Sequence, residues 1–510
     1  MSSGRQTAKG VVWNWVALAT SFAVSFFLSP FIVHHLGTVL YGVWTLVVGI
    51  TSYMNLLDLG LRGAVVRFVS RAHGNQDHEK SSVMVSGALW LRQWISIASI
   101  LLSVGFSFFL TRYFKIPAEA QAPARLAVIL SGLGIAVALY FGVFGGVLTA
   151  LHRFDLSAGV TLAQTALRAT GAILVLRHGY GFLGLAVSDF AVVLLAYLAQ
   201  TYLSFRAYPQ LRINWRYPGR EVLREFASYS AWVFLLHIFA QVIYFTDNLV
   251  VGAVVSVAAV TFYSIGGSLF EYVRNIVTSL TTTFLPLASR YQASGDYKQL
   301  GNLLLLGTKI AIATALPVQV ALFFRGRTFI DLWMGPQYGS SSALVLQILL
   351  IAQLFTVANS TSTNMILGMG KHGPIAIWTG GEAIANFGLS VLLARRFGMY
   401  GVAIGTVIPS LFTQVVLWPR YTCRLVAVRL GSYLWRAWVI PFAAGVPFGL
   451  ACYLSERYWQ VHHLATFFLQ IAAVLPIYLV AVGLVFRKEV LKELQKRTNW
   501  FSSSNPTAQA

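Results

Sequence analysis

Apolar residues recur along this chain in blocks of about 20, the length an α-helix needs to cross a hydrocarbon core of about 30 Å, and short polar stretches separate them. The pattern predicts fourteen helices, at about 11–33, 41–60, 83–111, 124–150, 158–177, 181–205, 227–252, 258–285, 303–325, 343–369, 373–394, 399–419, 433–453 and 463–486. Ten-residue segments of alternating polarity, which would mark a membrane barrel, do not occur. The expected fold is an all-α polytopic membrane protein. Composition agrees: 57% of the 510 residues are hydrophobic and 10% charged, with a mean hydropathy of +0.69, where a soluble domain carries about a quarter charged residues. The opening MSSGRQTAKG followed by Val11 to Val33 resembles a signal peptide, but the apolar run is too long and lacks a small-residue cleavage site, so it reads as an uncleaved first helix.

A formal charge of +21 raises nucleic acid as a partner, and the placement of the 37 Lys and Arg residues argues against it. With the N-terminus in the cytosol, inward segments hold 23 of them, outward loops 8 and helices the remaining six. That asymmetry follows the positive-inside rule and places both termini in the cytosol. The richest inward segments are Arg206–Phe226 and the tail from Phe486, basic stretches with interleaved apolar residues that suit an anionic leaflet. Cys423 and Cys452 have no metal or disulfide spacing.

The chain repeats itself at an offset of about 219 residues. RHGYGFLGLA from Arg177 matches RFGMYGVAIGT from Arg396, FVSRAHGNQD from Phe68 matches LASRYQASGD from Leu287, and Trp13 aligns with Trp232. The offset carries helix 1 onto helix 7 and helix 6 onto helix 12. Six helices return the chain to its starting side, so the two halves have parallel orientation about an axis along the membrane normal. The expected organisation is a six-helix lobe at 1–205, a basic cytosolic linker at 206–226, a second six-helix lobe at 227–419, two further helices at 420–486 and a cytosolic tail at 487–510. Two such lobes would face each other across a cleft and rock to open it alternately, the geometry of a transporter.

Charges at bilayer depth cost at least ~2.5–3.5 kcal/mol each, so they face the protein interior and mark candidate sites. In the first half, Arg168 and Asp189 fall at one level on helices 5 and 6 and read either as a structural ion pair or, for Arg168 with Gln164 one turn away, as lining of the cleft. Arg92 and Lys309 lie near cytosolic helix ends, where they can snorkel. Asp58 suits a cap, a loop pin or a transport role. In the second half, Glu271 and Arg274 are three apart and neutralise each other. Asp247 and Glu382 have no basic neighbour in sequence. A buried carboxylate must bind a cation, take up a proton or be hydrogen-bonded. Asp247, with Glu382, Asn248 and Asn386, is therefore the candidate site for a coupling Na⁺ or H⁺, and a hydrogen-bonded structural acid is the alternative. Arg274 is the candidate for an anionic ligand, because a guanidinium fork matches phosphate oxygens, or it serves only Glu271. Pro30, Pro317 and Pro409 can bend their helices.

Other motifs carry little. GMGKHG at Gly368 lacks the Ser or Thr of a phosphate loop and follows a membrane helix. The His34/His35 and His462/His463 pairs have no acidic or Cys companions, so no metal site is expected. Neither a nucleotide site nor another cofactor is predicted; energy would come from an ion gradient, the membrane potential or the substrate's own gradient.

The segment HHLGTVLYGVWTLVVGITSYMNLLDLGLRGAVVRFVSR, His34 to Arg71, resembles the signature region of bacterial polysaccharide-repeat flippases of the O-antigen and exopolysaccharide type. TDNLVVG from Thr246 and VTFYSIGGSL from Val260 resemble its counterpart in the second half. The resemblance runs through helix 12 and places the chain in the multidrug/oligosaccharidyl-lipid/polysaccharide (MOP) exporter superfamily. It implies two six-helix lobes around a cavity, a non-enzymatic chain in the bacterial inner membrane, and transfer of undecaprenyl-diphosphate-linked oligosaccharide from the cytoplasmic to the periplasmic leaflet. It also implies a diphosphate contact at Arg274 and a Na⁺ site built on Asp247 and Glu382, with Glu where Asp or Asn is the family pattern. Arginines the family carries on helices 1 and 2 are missing, which shifts the first-half contact to Arg92 or Arg168. Polysaccharide polymerase or assembly proteins would be its partners. The rival readings are a cation-coupled drug antiporter of the same superfamily, a membrane polysaccharide polymerase or ligase, and a non-transporting scaffold. The enzyme reading is weakened by short outward loops and the lack of a DxD motif.

Overall fold

The computed structural model describes residues 2–58, 61–214 and 231–503. Those residues are helical with no strand among them, and eleven helical stretches are long and apolar enough to cross a membrane. The first half contains α1 (Ser2–Ser52), α2 (Leu61–Gly74), α3 (His78–Tyr113), α4 (Ala118–Ala150), α5 (Phe154–Arg177) and α6 (Gly181–Ala207). Next come α7 (Ala231–Val250), α8 (Val257–Thr281), α9 (Phe284–Ala293), α10 (Tyr297–Met334), α11 (Pro336–Gly368) and α12 (Gly373–Phe412). The chain closes with α13 (Trp418–Leu425), α14 (Leu430–Tyr433), α15 (Ile440–Ala444), α16 (Val446–Tyr458) and α17 (Leu464–Ser503). Residues 215–226 of the expected basic linker and the tail beyond Ser503 lie outside the described residues.

Several boundaries differ from the sequence pattern for local reasons. The break expected between helices 1 and 2 is kept, as a kink within α1 at Gly37, whose φ of 74° is left-handed and suits glycine. The last residues expected in helix 2, Tyr53–Asp58, form a 3-10 turn instead. The break expected between helices 11 and 12 is likewise a kink within α12, at Gly398, φ 59°. The short helices α2 and α9 occupy expected loops, since only one face of each is apolar: α2 buries Leu61, Ala64, Val65, Val69 and Ala72 at helical spacing. The final helix continues through most of the expected tail. Single π-turns at Val251–Val255, Thr413–Leu417 and Leu434–Val439 interrupt the regular helices.

The repeat is visible in the backbone. Asp77 caps α3 by accepting from Lys80 N at 2.8 Å, and Asp296, at 296 − 77 = 219 positions on, caps α10 by accepting from Gln299 N at 3.0 Å. Gln76 (φ 58°) and Gly295 (φ 68°), which precede those caps, share the left-handed conformation, as do Gly179 (φ 78°) and Gly398 (φ 59°). Each of these pairs keeps the same offset.

Two compact units make up the chain. The first takes Met1–Ser264 with Ala376–Thr406, and the second Ile265–Ile375 with Val407–Ala510. This grouping places α7 and the middle of α12 with the first half, whereas the repeat alone would assign both to the second lobe. In the first unit, α2, α3 and α4 share a core of Val65, Val69, Val85, Leu89, Val143 and Val147, over which Tyr208 and Leu211 fold. Farther along α3, Ser96, Ser99, Ser103 and Ser107 are buried, and a Cβ on Gly132 would stand 2.2 Å from that of Ser103. Small residues thus let α3 and α4 approach closely, as membrane helices must when lipid offers no hydrophobic contrast. In the second unit, Arg325 of α10 is 1% exposed and donates to Glu456 (3.1 Å) and Gln470 (2.6 Å), with its guanidinium 4.9 Å from the Phe467 ring centroid. This buried hub ties α16 and α17 to α10.

Candidate cation and substrate sites

Asp247 lies three residues before the end of α7 and is 5% exposed. Its Oδ2 accepts hydrogen bonds from Tyr263 OH of α8 (2.6 Å) and from Thr406 Oγ1 of α12 (2.7 Å). Its Oδ1 is buried without a hydrogen-bond partner among the described residues. The same holds for Asn248 Oδ1 and for both polar atoms of the Asn386 amide. A carboxylate taken out of water with one oxygen unmatched is a cation ligand in search of its ion or a protonated acid.

Packing on α12 fixes the level of the other candidates. Ser390 Oγ and Thr406 Oγ1 both donate to Val402 O at 3.2 Å, and a Cβ on Gly405 would meet Ser390 N at 2.5 Å. Ser390, Thr406 and Asp247 therefore share one depth. Asn386 and Glu382 lie one and two turns back from Ser390 on the same face of α12, about 6 Å per step, and are 1% and 7% exposed. A Cβ on Gly380 would sit 2.9 Å from the Phe239 ring, so α12 and α7 are in contact two turns below Asp247 as well. Asp247 thus gains the hydroxyls of Tyr263 and Thr406, and Asn386 and Glu382 lie buried on one face of α12. Those hydroxyls were not legible beforehand: Thr406 is 159 residues from Asp247, and a lone Thr or Tyr in an apolar helix carries no signal.

The basic candidates fall in different places. Arg92 is 1% exposed and donates to Asp58 and to Leu139 O, so it serves an internal ion pair instead of snorkelling to an interface, and Asp58 pins the 3-10 turn to α3. Arg168 donates to Asp189 Oδ1 at 2.6 Å, with side chains 51% and 28% exposed, the pairing that their matched depth predicts. Gln164, one turn before Arg168, is half-buried. Arg274 donates to Glu271 on the same face of α8. Both members of that pair are part-exposed, at 26% and 33%. His34 and His35 bond back to Pro30 O (2.6 Å) and Phe31 O (2.8 Å) of their own helix. No group of three or more His, Cys, Asp or Glu residues with metal-binding geometry occurs among the described residues.

Residues 36–343 match a family described as polysaccharide biosynthesis protein. The chain is 22% identical to the uncharacterized membrane protein EpsK of Bacillus subtilis (strain 168), covering 85% of this chain and 87% of that protein. It is 21% identical to a putative O-antigen transporter of Shigella flexneri, over 81% of this chain and 97% of the relative. Among solved structures, the lipid II flippase MurJ in an inward closed conformation superimposes with a TM-score of 0.74 at 14% identity, covering 94% of this chain and all of that one. A multidrug resistance MATE family transporter in its inward-facing conformation gives 0.69 at 15% identity over 81% of this chain and 98% of its own length. Helix order, buried charges and the match over residues 36–343 converge: the chain is a multi-pass membrane protein of the polysaccharide biosynthesis protein family, with the fold of MOP-superfamily transporters.

Proposed function

We propose that this protein is a flippase that carries undecaprenyl-diphosphate-linked oligosaccharide repeat units from the cytoplasmic to the periplasmic leaflet of the bacterial inner membrane by alternating access, driven by a cation at Asp247. A lipid-linked sugar has a polar head that cannot cross hydrocarbon unaided and a tail that stays in lipid. The carrier must supply the head with polar and basic surface and leave the tail outside. Similarity to the putative O-antigen transporter supports that substrate class, and the part-exposed Arg274 offers a fork suited to diphosphate. The observation that carries the ion-coupled reading is the buried Asp247 carboxylate, with one oxygen held by two hydroxyls and the other without a hydrogen-bond partner among the described residues. Na⁺ or H⁺ would occupy that position. Polysaccharide polymerase and assembly proteins would receive the flipped unit.

Flipping measured in proteoliposomes with a fluorescent lipid-diphosphate oligosaccharide tests both parts. Wild-type protein should move the lipid and respond to a Na⁺ or pH gradient, and Asp247→Asn should lose that response while the protein stays folded. A cation-stimulated efflux of organic cations in place of lipid movement would favour the drug-antiporter alternative. In cells, loss of the gene should leave lipid-linked repeat units in the inner leaflet.

A further inference from the structure

The six residues Tyr53–Asp58 form a 3-10 turn between α1 and α2, a conformation with poor internal hydrogen bonding that often marks a hinge. Two helices hold this turn from opposite ends. From α7, Gln241 Nε2 donates to Ser52 O at 2.8 Å, satisfying a carbonyl near the end of α1. Five residues further along α7, Thr246 Oγ1 shares a 2.6 Å hydrogen bond with Tyr53 OH. From α3, Ser99 Oγ donates to the Met54 sulfur at 3.6 Å and Arg92 donates to Asp58. Ser99 and Arg92 are seven residues apart, two helical turns, and so share a face.

Thr246 is the residue immediately before Asp247. The turn therefore runs from the direct neighbour of the cation-ligand candidate to the buried arginine of the first half. Because Thr246 and Asp247 share a peptide unit, a backbone shift that re-aims the Asp247 carboxylate also moves the Thr246 hydroxyl. We propose that Tyr53 is a positioning residue: through its bond to Thr246, the 3-10 turn senses whether the Asp247 site is occupied and passes that state to the Asp58–Arg92 pair. This inference rests on the ion-coupled reading above. With the site filled, the Tyr53–Thr246 bond holds the turn; with it empty, the bond yields and the turn is released.

The test uses the full chain in nanodiscs carrying N55C, a reporter at an exposed position of the turn; Cys423 and Cys452 are both buried. Cation binding is followed by tryptophan fluorescence in a Na⁺ titration at fixed pH and in a pH series without Na⁺. The turn is followed by the rate at which N55C reacts with a polar maleimide, with and without the ion. In the wild-type background the ion should slow the reaction. Y53F and T246V should bind the ion with half-saturation within about twofold of wild type but lose about threefold to tenfold of its effect on the maleimide rate, the worth of one neutral hydrogen bond. T246S should behave as wild type, because it restores the hydroxyl. D247N should lose both binding and protection. Full ion protection in Y53F would overturn the role of Tyr53 while leaving the ion site intact. A shift in half-saturation as large as that of D247N would overturn it too, by making Tyr53 part of the ion site. Absence of binding in both titrations of the wild-type background would overturn the ion-coupled reading and this inference together.

Discussion

Truncating Asp58 should destabilise the protein more than neutralising Arg92, although the two side chains form one ion pair. Arg92 is 1% exposed, and its guanidinium donates to the Asp58 carboxylate and to Leu139 O. The Asp58 side chain is 34% exposed. Asp58→Ala leaves a buried cation with one carbonyl as its remaining hydrogen-bond partner. Removing one partner of a buried pair costs about 3–5 kcal/mol, and the retained Leu139 carbonyl places the expected loss near the lower end, about 3 kcal/mol. Arg92→Met removes the charge, fills most of the volume with an apolar chain, and leaves an Asp58 that water can solvate. The lost hydrogen bonds to a charged group set that cost at about 1.5 kcal/mol, the lower end for such bonds. The measurable quantity is the ordering. Detergent-solubilised variants compared by thermal unfolding with a size-exclusion readout should rank wild type above Arg92→Met and Arg92→Met above Asp58→Ala, with the double variant Asp58→Ala/Arg92→Met close to Arg92→Met. Equal or inverted melting points for the two single variants would refute the asymmetry, and with it the view that burial of the guanidinium dominates this pair.

Glu456→Ala should loosen the last helices, because Arg325 would keep Gln470 but lose its carboxylate; about 3 kcal/mol is expected, read as faster proteolysis between α16 and α17, with Glu456→Gln milder. Two neighbouring glycines should respond in opposite ways: a Cβ on Gly266 would stand 2.7 Å from Ser342 O, a backbone atom that cannot yield cheaply, whereas one on Gly267 meets nothing within 4 Å. Gly266→Ala should lower the unfolding temperature, at about 1–3 kcal/mol of overpacking, and Gly267→Ala should hold or raise it, since alanine outranks glycine in a helix by ~1 kcal/mol. Arg274→Lys, which keeps the charge and loses the fork, should slow lipid flipping about tenfold without changing the melting temperature, and Arg274→Ala should slow it further; a fully active Lys variant would remove Arg274 from headgroup recognition.

The fold was legible to the extent that it is written in hydropathy, and it was not at the 3-10 turn Tyr53–Asp58 or at the short helices α2 and α9, which are too short or too polar to register. Twenty-residue apolar blocks announce helices because each must satisfy its own hydrogen bonds in lipid, and the 219-residue offset survives as twin caps at Asp77 and Asp296. The breaks expected at 34–40 and 395–398 are likewise present, as kinks where Gly37 and Gly398 take left-handed φ values. The candidate ion site divides the same way. Asp247, Asn386 and Glu382 stand out because a polar group at bilayer depth is costly, and helical spacing alone puts Glu382 and Asn386 on one face. The groups that complete the site, Tyr263 and Thr406, are hydroxyls whose role exists only through contact with Asp247. Arg92 shows the limit from the other side. Its place near a helix end suggests snorkelling, yet it pairs with Asp58, 34 residues earlier at the end of a 3-10 turn that hydropathy cannot detect. Where a membrane protein hides its charges in pairs, sequence identifies the charges and tertiary contact decides which are spoken for. Asp247 retains its interest because burial among three helices has given one of its oxygens two hydroxyl donors and left the other without a hydrogen-bond partner among the described residues.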